Sequence, residues 1–374
     1  MATNTAEAAN QTTPIPAEMR AAVYRGVNNI RLETVPVPRI GPGEVLLRVD
    51  TCGICGTDLK KIHTGSHSAP RIFGHETAGT IAAVGVGVED FAVGDRAMVF
   101  HHIPCGACYY CRKKTFAQCE VYKRVGVTAG FEPAGGGFAQ YVRVMDWIVR
   151  RGLVRIPDGV PFEHAALTEP LACVVRGLEE SGARPGDTMV VIGAGPIGLM
   201  FMHVAQIAGV NIIAVVKRED QIAAAKLFGA ACVVHIEAVK DVVAATRALT
   251  PEGRGADIVI EAVAIPATWE WAVDMVRKGG LVNFFGGPPS GTRVQLDTNR
   301  IHYGDITLKA SFHHTPATCR TALELVTSGR FKCADYITGR AILAQVPELF
   351  ARMMTRTADS RDIKTAVFPS GVPQ

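Results

Sequence analysis

The hydrophobic positions of this chain change their pattern near residue 155, and the change predicts two kinds of structure. Before that point, short segments rich in Val and Ile are separated by turns such as Gly41-Pro42-Gly43, a pattern typical of β-strands. The predicted strands are Ala21–Tyr24, Glu44–Val49, Gly79–Val84 and Ala139–Val144. We therefore expect a mainly β module from about Met19 to Arg155.

A second region alternates apolar strands with helical segments of about twelve residues. The predicted strands are Thr188–Gly193, Asn211–Val216, Ala231–His235, Ala256–Val263 and Gly280–Phe285. The predicted helices are Pro196–Ala208, Asp220–Phe228, Val239–Leu249 and Pro266–Arg277. Strands that are apolar on both faces and are joined by helices indicate a parallel sheet covered on both sides. Right-handed crossovers then make this sheet doubly wound, so the predicted fold class is α/β.

The remainder of the chain is too short to form a core of its own, so we expect it to pack on the first module. Its predicted elements are a strand (Ile306–Ser311), a helix (Pro316–Ser328) and a last strand (Lys364–Phe368). The predicted organisation is a flexible tail at 1–18, a mainly β module of 19–158 and 306–374, and a doubly wound α/β domain of 159–305.

Composition narrows the class of protein. The 374 residues are 48% hydrophobic and 20% charged, which is typical of globular proteins and excludes disordered or collagen-like chains. The net charge of +4 indicates neither a nucleic-acid nor a membrane partner. No apolar run reaches the ~18 residues of a membrane span, and the first eighteen residues lack the apolar stretch of a secretory signal. Of ten cysteines, four crowd into fifteen positions, which predicts bound metal and a cytoplasmic location.

The G-x-G-x-x-G pattern of a dinucleotide-binding turn occurs at Gly193-Ala194-Gly195-Pro196-Ile197-Gly198. It closes a predicted strand and opens a predicted helix, which is the context that the pattern requires. The first glycine permits the tight turn, the second lets a pyrophosphate approach the backbone, and the third allows close packing of helix on strand. The helix N-terminus then faces the phosphates, so we expect a bound dinucleotide.

The residues after the next strand bear on the choice of dinucleotide. Proteins of this fold that bind NAD carry an acidic residue there for the ribose 2′-hydroxyl, whereas this chain reads Val215-Val216-Lys217-Arg218. Because the acid is absent and two cations follow, we expect NADP to be favoured over NAD. The alternative is that Lys217 and Arg218 are solvated helix-cap cations.

Two sets of residues are candidates for binding metal. Cys105, Cys108, Cys111 and Cys119 have the spacing C-x2-C-x2-C-x7-C within a lobe at 100–122, which favours a closed, structural zinc site. The second set is dispersed over three motifs: Cys55 in GICGTD, His75 and Glu76 in GHE, and Glu169 in EPL. Each of these fragments alone is more typical of a core residue or a helix start. Only their joint presence indicates a metal site.

The motifs GICGTD, GHE, the four-cysteine lobe, EPLA and GAGPIG follow one another in an order that resembles the zinc-containing medium-chain dehydrogenases. The resemblance runs from about Met19 to Phe368 and is closest to the sorbitol (L-iditol) and threonine dehydrogenase branch. It implies a GroES-like catalytic domain, a Rossmann domain and two zinc ions per chain. It also implies hydride transfer between NAD(P) and a secondary alcohol, which would be a polyol, a sugar derivative or a hydroxy amino acid, by a homodimer or homotetramer.

The resemblance also implies roles for single residues of the dispersed set. Cys55, His75 and Glu169 would bind the catalytic zinc, with Glu76 beside it, holding water or entering the coordination sphere transiently. Asp58 would accept a hydrogen bond from His75 and orient it, and Thr57 would contact the reacting hydroxyl and pass on its proton. Besides the glycine turn and the two cations, the residues expected to contact the cofactor are Phe285, Gly286, Ser311 and Phe312.

The chain departs from this family at several positions. His313 and His314 stand where sorbitol dehydrogenases tend to have an Arg-aromatic pair, which argues against sorbitol itself as the substrate. Lys60 occupies the position of a proton-relay histidine of the ethanol-type enzymes, so the resemblance does not determine the proton route beyond Thr57. His101 and His102 flank the expected cleft, or are plain loop histidines.

Two alternative functions follow from the same fold. One is a zinc-free quinone or enone reductase, although such enzymes generally lack both the four-cysteine lobe and the cysteine ligand that this chain keeps. The other is a non-catalytic protein that binds NAD(P) without turning over an alcohol. Metal analysis distinguishes the first alternative, and absorbance of the reduced nicotinamide at about 340 nm with a panel of polyols distinguishes the second.

Overall fold

The computed structural model describes residues 14–122, 124–131, 133, 135–355 and 362–372. Most of the predicted N-terminal tail, residues 1–13, lies outside this range, and Glu18 already belongs to the first strand. The described chain forms two lobes, one built on antiparallel strands and one on a parallel sheet.

The first lobe contains most of the antiparallel strands. Its strands are β1 (Glu18–Gly26), β2 (Asn29–Pro36), β3 (Val45–Gly53), β4 (Arg71–Ile72), β5 (Glu76–Val84), β6 (Arg96–Val99), β7 (Val127–Thr128), β8 (Tyr141–Val144) and β9 (Leu153–Arg155). The helices of this part of the chain are α1 (Gly56–Thr64), α2 (Tyr109–Arg112), α3 (Asp146–Arg151), α4 (Phe162–Ala166) and α5 (Thr168–Ser181).

The second lobe is the doubly wound domain that the pattern predicts. Its strands are β10 (Thr188–Ile192), β11 (Asn211–Val216), β12 (Ala230–His235), β13 (Ala256–Glu261), β14 (Val276–Phe284) and β15 (Thr307–Ala310). Its helices are α6 (Pro196–Ile207), α7 (Asp220–Leu227), α8 (Val242–Ala248), α9 (Pro266–Met275) and α10 (Thr298–Tyr303). The strands are all parallel, in the order β12-β11-β10-β13-β14-β15. The order reverses between β10 and β13, where sheets of this kind bind ligands.

The C-terminal segment returns to the first lobe. It contributes α11 (Pro316–Thr327), β16 (Ile337–Ile342), α12 (Val346–Thr355) and β17 (Lys364–Phe368). β17 pairs with β3 in an eight-stranded sheet whose main path is β16-β17-β3-β5-β6-β9, with β8 also paired to β3. Through this pairing the segment packs on the first module.

The predicted domain boundaries differ from the sheets at two places. β15 lies in the parallel sheet beside β14, although the prediction placed residues 306–374 with the first module. Strand β15 extends the sheet because Leu281–Phe284 still offers a free hydrogen-bonding edge on that side. At the other boundary, α4 packs on β3 and β5 of the first lobe, although it follows residue 158.

Helix α5 joins the two lobes. It packs on β5 of the first lobe and on α6 and β14 of the second, and it also contacts α11. Nine of its 14 residues are buried, because the helix has neighbours in both lobes. Its first turn, which carries Glu169, is thereby held between the lobes.

Two element boundaries of the second lobe differ from the prediction for local reasons. Helix α8 begins at Val242, three residues later than predicted, because the Asp241 carboxylate caps it by accepting a hydrogen bond from the Ala244 N–H (2.9 Å). Helix α9 ends at Met275, since the chain passes directly into β14 at Val276.

The parallel sheet buries apolar side chains on both faces. Along β10, Met189 and Val191 join a core that continues into the first lobe, while Val190 and Ile192 join a second core under the helices of the other face. This alternation explains why the strand is apolar throughout. The helices show no comparable run: within the described part of the chain, none is long and apolar enough to cross a membrane.

We expect Asn283→Ala to lower the free energy of unfolding by about 2 kcal/mol. Asn283 is fully buried on β14, and its amide donates to the Gly177 carbonyl (3.0 Å) and to the hydroxyls of Ser181 (3.2 Å) and Ser311 (3.0 Å). Removing the amide leaves these groups with one buried donor fewer. Urea denaturation followed by tryptophan fluorescence measures the change.

The matched control is Asn211→Ala, because the Asn211 amide donates to the exposed carbonyl of Gly186 (3.1 Å), where water can replace it. We expect a change below about 0.5 kcal/mol for this variant. Losses of equal size in the two variants would contradict the role assigned to Asn283.

Candidate active site

The start of α1 presents three of the predicted functional groups on one helical turn. Cys55 immediately precedes the helix, and its sulfur accepts a hydrogen bond from the Thr57 N–H (3.4 Å). The Thr57 side chain is exposed, whereas Asp58 is buried in the same turn. The segment Cys-Gly-Thr-Asp therefore places a sulfur and a hydroxyl near the surface of the cleft and a carboxylate behind them.

His75 lies between β4 and β5 and is held by Asp58. The ring is 7% exposed, and its Nδ1 lies 3.1 Å from Asp58 Oδ1, which is the pairing that the resemblance predicts. Burial lowers the pKa of His75, but the charges of Asp58 and Cys55 outweigh it, so this pKa lies well above its ordinary value. The pairing leaves the other ring nitrogen free to point toward Cys55.

Glu76 forms a buried ion pair with Lys364 of β17. Lys364 Nζ lies 2.6 Å from Glu76 Oε1 and 2.5 Å from Oε2, and it also donates to the Ile54 carbonyl (2.8 Å). The opposite residue of β3 must be glycine, since a Cβ at Gly53 would lie 2.1 Å from Glu76 Oε2. Burial lowers the pKa of Lys364, but the charge of Glu76 outweighs it and the pKa is raised.

Sequence reasoning missed Lys364. The residue lies 288 positions from Glu76, so no local motif connects the two. A signal was nevertheless present, because a lysine at the start of the apolar strand KTAVF is unusual unless the charge is paired.

Glu169 enters the site from the first turn of α5 and is 4% exposed. Its Oε1 lies 3.8 Å from His101 Nδ1 and 3.8 Å from His314 Nε2. Burial raises the pKa of Glu169 to about 7. The His75 ring is 4.9 Å from the His101 ring, so this carboxylate and its histidines adjoin the residues around Cys55.

The potential metal ligands of the cleft fall into two adjacent groups, each with one donor atom per residue and all donors within 4.8 Å of one another. The first group is Cys55, His75 and Glu76, and the second is His101, Glu169, His313 and His314. The structure thus gathers three of the predicted ligands in one group and places Glu169 in the neighbouring one.

The histidines whose roles the sequence left open line the cleft together. His313 has a left-handed backbone (φ 69°), and Arg176 of α5 donates to the preceding carbonyl of Phe312 (2.6 Å). The Tyr122 hydroxyl hydrogen-bonds His313 Nδ1. Burial and the charges of neighbouring residues lower the pKa of His314 to about 3, so this ring is neutral at physiological pH.

The four cysteines of the predicted zinc lobe converge around α2. Their sulfurs all lie within 4.8 Å of one another, and Cys105 Sγ is 3.9 Å from Cys111 Sγ. Zinc–sulfur bonds of ~2.3 Å in a tetrahedron put sulfurs about 3.8 Å apart, so the donor set fits zinc. Backbone N–H groups of Ala107 and Cys108 donate to the Cys105 sulfur (3.4 and 3.3 Å), which favours the thiolate. All ten cysteines lie in the described part of the chain, and all are free thiols.

The glycine turn between β10 and α6 has the geometry of a phosphate cradle. Gly193 has a φ of 102°, and a Cβ at Gly198 would lie 1.9 Å from the Gly193 carbonyl oxygen, so both positions require glycine. Gly195 differs, since a Cβ there would meet nothing within 4 Å, and that space lies in front of the helix N-terminus. Pro196 and Ile197 open the helix, with proline at its favoured first position.

Lys217 and Arg218 extend into solvent beyond the end of β11. Their backbone N–H groups both donate to Gln221 Oε1 (3.2 and 3.1 Å), which fixes the turn. Arg218 Nε pairs with Asp220 Oδ1 (3.0 Å), so a 2′-phosphate would have to compete with this carboxylate for the guanidinium.

The other residues predicted to contact the cofactor divide into exposed and interior positions. Phe312 is 54% exposed, whereas Phe285 packs edge-on against Phe201 with ring centroids 4.8 Å apart. The Ser311 hydroxyl donates to Glu180 Oε2 (2.5 Å), so its side chain is directed into the lobe. Gly286 lies close to the chain after β13, where a Cβ would be 2.7 Å from the Ala264 nitrogen.

One contact between the lobes places α1 near the cofactor turn. Lys60 Nζ donates to the carbonyls of Gly287 (2.8 Å) and Pro288 (3.2 Å), which follow β14 at the carboxyl end of the parallel sheet. The helix that begins after Cys55 therefore lies beside the edge of the sheet where the glycine turn opens.

Comparisons with known proteins agree with this arrangement. Residues 41–158 match the alcohol dehydrogenase GroES-like domain, and residues 196–328 match the zinc-binding dehydrogenase domain. The chain is 31% identical over 365 residues to sorbitol dehydrogenase of Bacillus subtilis (strain 168), covering 96% of this chain and 99% of that protein. It is 30% identical over 364 residues to D-arabinitol dehydrogenase 1 of Uromyces fabae, with coverage of 96% and 99%.

A solved zinc-binding dehydrogenase from Sinorhizobium meliloti 1021, bound to NADP, has the same fold, with a TM-score of 0.85. It is 30% identical in sequence, and the match covers 95% of this chain and 100% of that one. Fold and site together define an NAD(P)-dependent alcohol dehydrogenase of the zinc type. The chain belongs to the zinc-containing medium-chain dehydrogenase family, in its sorbitol dehydrogenase-like branch, which confirms the resemblance seen in the sequence.

We expect Lys364→Met to lower the free energy of unfolding by about 3 kcal/mol, because Glu76 would stay buried without its partner. Adding Glu76→Gln removes the unpaired charge, so the double variant should regain most of the loss. Urea denaturation of the three proteins measures both changes.

Arg340→Met serves as the control, since Arg340 pairs with Glu163 (2.6 Å) while its own side chain is 52% exposed. We expect a loss below about 1 kcal/mol for this surface pair. The account of Lys364 is wrong if the control loses as much stability, or if the double variant is no more stable than Lys364→Met alone.

Proposed function

We propose that this protein is a zinc-dependent oxidoreductase that transfers hydride between a secondary alcohol group of a polyol and NADP, in preference to NAD. The observation that carries the proposal is the convergence of Cys55, His75 and Glu76, donors within 4.8 Å, beside the carboxyl edge of a dinucleotide-binding sheet. The names of the two curated relatives, a sorbitol and an arabinitol dehydrogenase, support a polyol as substrate.

In this proposal Cys55, His75 and Glu169 hold the catalytic zinc, with Glu76 close by. A bound zinc supplies a Lewis acid that makes a coordinated hydroxyl acidic and polarises a carbonyl in the reverse direction. Asp58 fixes the orientation of His75 through the 3.1 Å contact between its Oδ1 and His75 Nδ1. In this proposal Thr57, which is exposed at the start of the same helix, contacts the reacting hydroxyl and passes on its proton.

A second zinc ion is structural in this proposal. Its ligands are the four cysteine sulfurs around α2. These sulfurs lie within 4.8 Å of one another, and a set of four sulfur donors suits a closed site. The count of two zinc ions per chain follows from these two sets.

The preference for NADP rests on the cofactor lobe. The open space at Gly195 suits a pyrophosphate, and the chain after β11 presents Lys217 and Arg218 where an acidic residue would select NAD. The NADP found in the Sinorhizobium meliloti structure supports the same choice.

We further propose that the protein works in the cytoplasm as a homodimer or homotetramer, with a small-molecule alcohol or ketone as its partner. β15 is an edge strand of the parallel sheet, and three of its four residues are exposed, including Leu308. An exposed edge strand of this kind is suited to pairing with a second copy. The free thiols fit a reducing compartment.

We expect Cys55→Ser to lose one zinc equivalent per chain and to lower kcat/KM at least about 100-fold, because the catalytic metal loses its thiolate. Zinc is counted by mass spectrometry, and turnover by nicotinamide absorbance with a panel of polyols. Cys52→Ser is the matched control, since Cys52 is a buried thiol whose sulfur accepts from Thr77 Oγ1 (3.7 Å). It should keep both zinc ions, and native turnover in Cys55→Ser would refute the zinc-dependent proposal.

We expect the double variant Lys217→Ala, Arg218→Ala to raise KM for NADP about tenfold or more while KM for NAD changes little. The reason is that the two side chains are the cations nearest the predicted 2′-phosphate, and a tenfold change corresponds to about 1.4 kcal/mol. Lys226→Ala controls for loss of charge, since Lys226 lies near the C-terminal end of α7, 226 − 216 = 10 positions after the end of β11. A parallel rise for both cofactors, or a rise in the control, would oppose the assignment.

A further inference from the structure

A second group of ligand-type side chains lies beside the proposed zinc ligands, and the proposed function leaves it largely unused. It consists of His101, Glu169, His313 and His314, with one donor of each within 4.8 Å of the others. His101 is 6% exposed, Glu169 4% and His314 1%. Three buried donors, with the half-buried His313 beside them, require an explanation, because buried polar groups are normally hydrogen-bonded.

Two imidazole nitrogens of this group have no hydrogen-bond partner among the described residues: His101 Nδ1 and His314 Nε2. Each lies 3.8 Å from Glu169 Oε1, which is too long for a hydrogen bond. The distance suits two ligands of one ion instead. Metal bonds of ~2.0–2.2 Å place ligand atoms about 3.3 Å apart in a tetrahedron and about 4.2 Å apart across an ion.

For His313 and His314, the opposite ring nitrogen is held by a group outside the cluster. His314 Nδ1 lies 3.3 Å from Cys319 Sγ, and His313 Nδ1 binds the Tyr122 hydroxyl. Arg176 also donates to the His313 carbonyl (3.3 Å) and so helps to fix its left-handed backbone. Histidines that bind metals usually have the second ring nitrogen engaged in this way, which sets the orientation of the ring.

We propose that His101, His313 and His314 bind a third metal ion, a divalent transition-metal ion, with Glu169 shared between it and the proposed catalytic zinc. The inference rests on the proposed function only for that sharing. Imidazole donors select zinc, cobalt, nickel or copper rather than magnesium or calcium. An ion at this position gives the cleft a second oxygen-binding position, which suits substrates with hydroxyl groups on adjacent carbons.

The test is to dialyse enzyme that carries two zinc ions per chain against Co²⁺ and to count zinc and cobalt per chain. We expect one cobalt in addition to the retained zinc. Its visible spectrum should show d–d bands without thiolate-to-cobalt charge transfer, because the third site contains no cysteine, whereas both zinc sites do. The double variant His101→Gln, His314→Gln should keep its zinc and lose this cobalt.

The control is His203→Gln, since His203 is also buried but its Nδ1 contacts Tyr336 Oη (3.2 Å) in the cofactor lobe. It should bind the additional cobalt normally. His313→Gln provides a single-residue test if the double variant does not fold, and it should weaken cobalt binding at least about tenfold.

Three results would overturn the third site. The first is that the wild-type enzyme binds no cobalt other than cobalt exchanged into the thiolate sites. The second is that the double variant binds as much cobalt as the wild type. The third is that the double variant loses zinc, which would mean that the histidines hold one of the two zinc ions. Cys55→Ser separates this inference from the proposed function. If the proposed function is wrong, Cys55→Ser keeps its turnover. If the third site does not exist, the wild-type enzyme binds no additional cobalt.

Discussion

The buried ion pair between Glu76 and Lys364 is the interaction on which the architecture of the site most depends. It joins the start of β5 to the start of β17 across 288 residues of chain. Through its third bond, to the Ile54 carbonyl, Lys364 also holds the residue before Cys55. An ion pair inside a protein adds little net stability, but the loss of one partner is strongly unfavourable. The pair therefore disfavours any arrangement in which β17 is not inserted beside β3.

Helix α5 imposes a second constraint, because it has to satisfy both lobes at once. Its first turn delivers Glu169 to the cleft, and further along Arg176 holds the carbonyls of Phe312 and His313. One rigid helix thus sets the position of a carboxylate and of a histidine that belong to different lobes. A metal site that shares Glu169 is held rigidly in the same way, since α5 packs on both lobes and the carboxylate cannot move with only one of them.

Local sequence patterns predicted the parts of the molecule that local physics determines. The apolar strands around Gly193 and the four closely spaced cysteines follow from periodicity and spacing, and the structure contains both. The partner of His75 followed from a resemblance rather than from the residues alone. The pairing of Lys364 with Glu76, by contrast, depends on a tertiary contact, and so does the addition of β15 to the parallel sheet. Long-range pairing of this kind leaves no periodic signal in one sequence.

Lys60 ties the helix that follows Cys55 to the loop after β14 through two carbonyl oxygens, those of Gly287 and Pro288. Rotation of one lobe away from the other would break both bonds, although the Lys60 side chain is already exposed to water. Because water can replace both carbonyls at this exposed position, the two bonds orient the lobes relative to each other without locking them together.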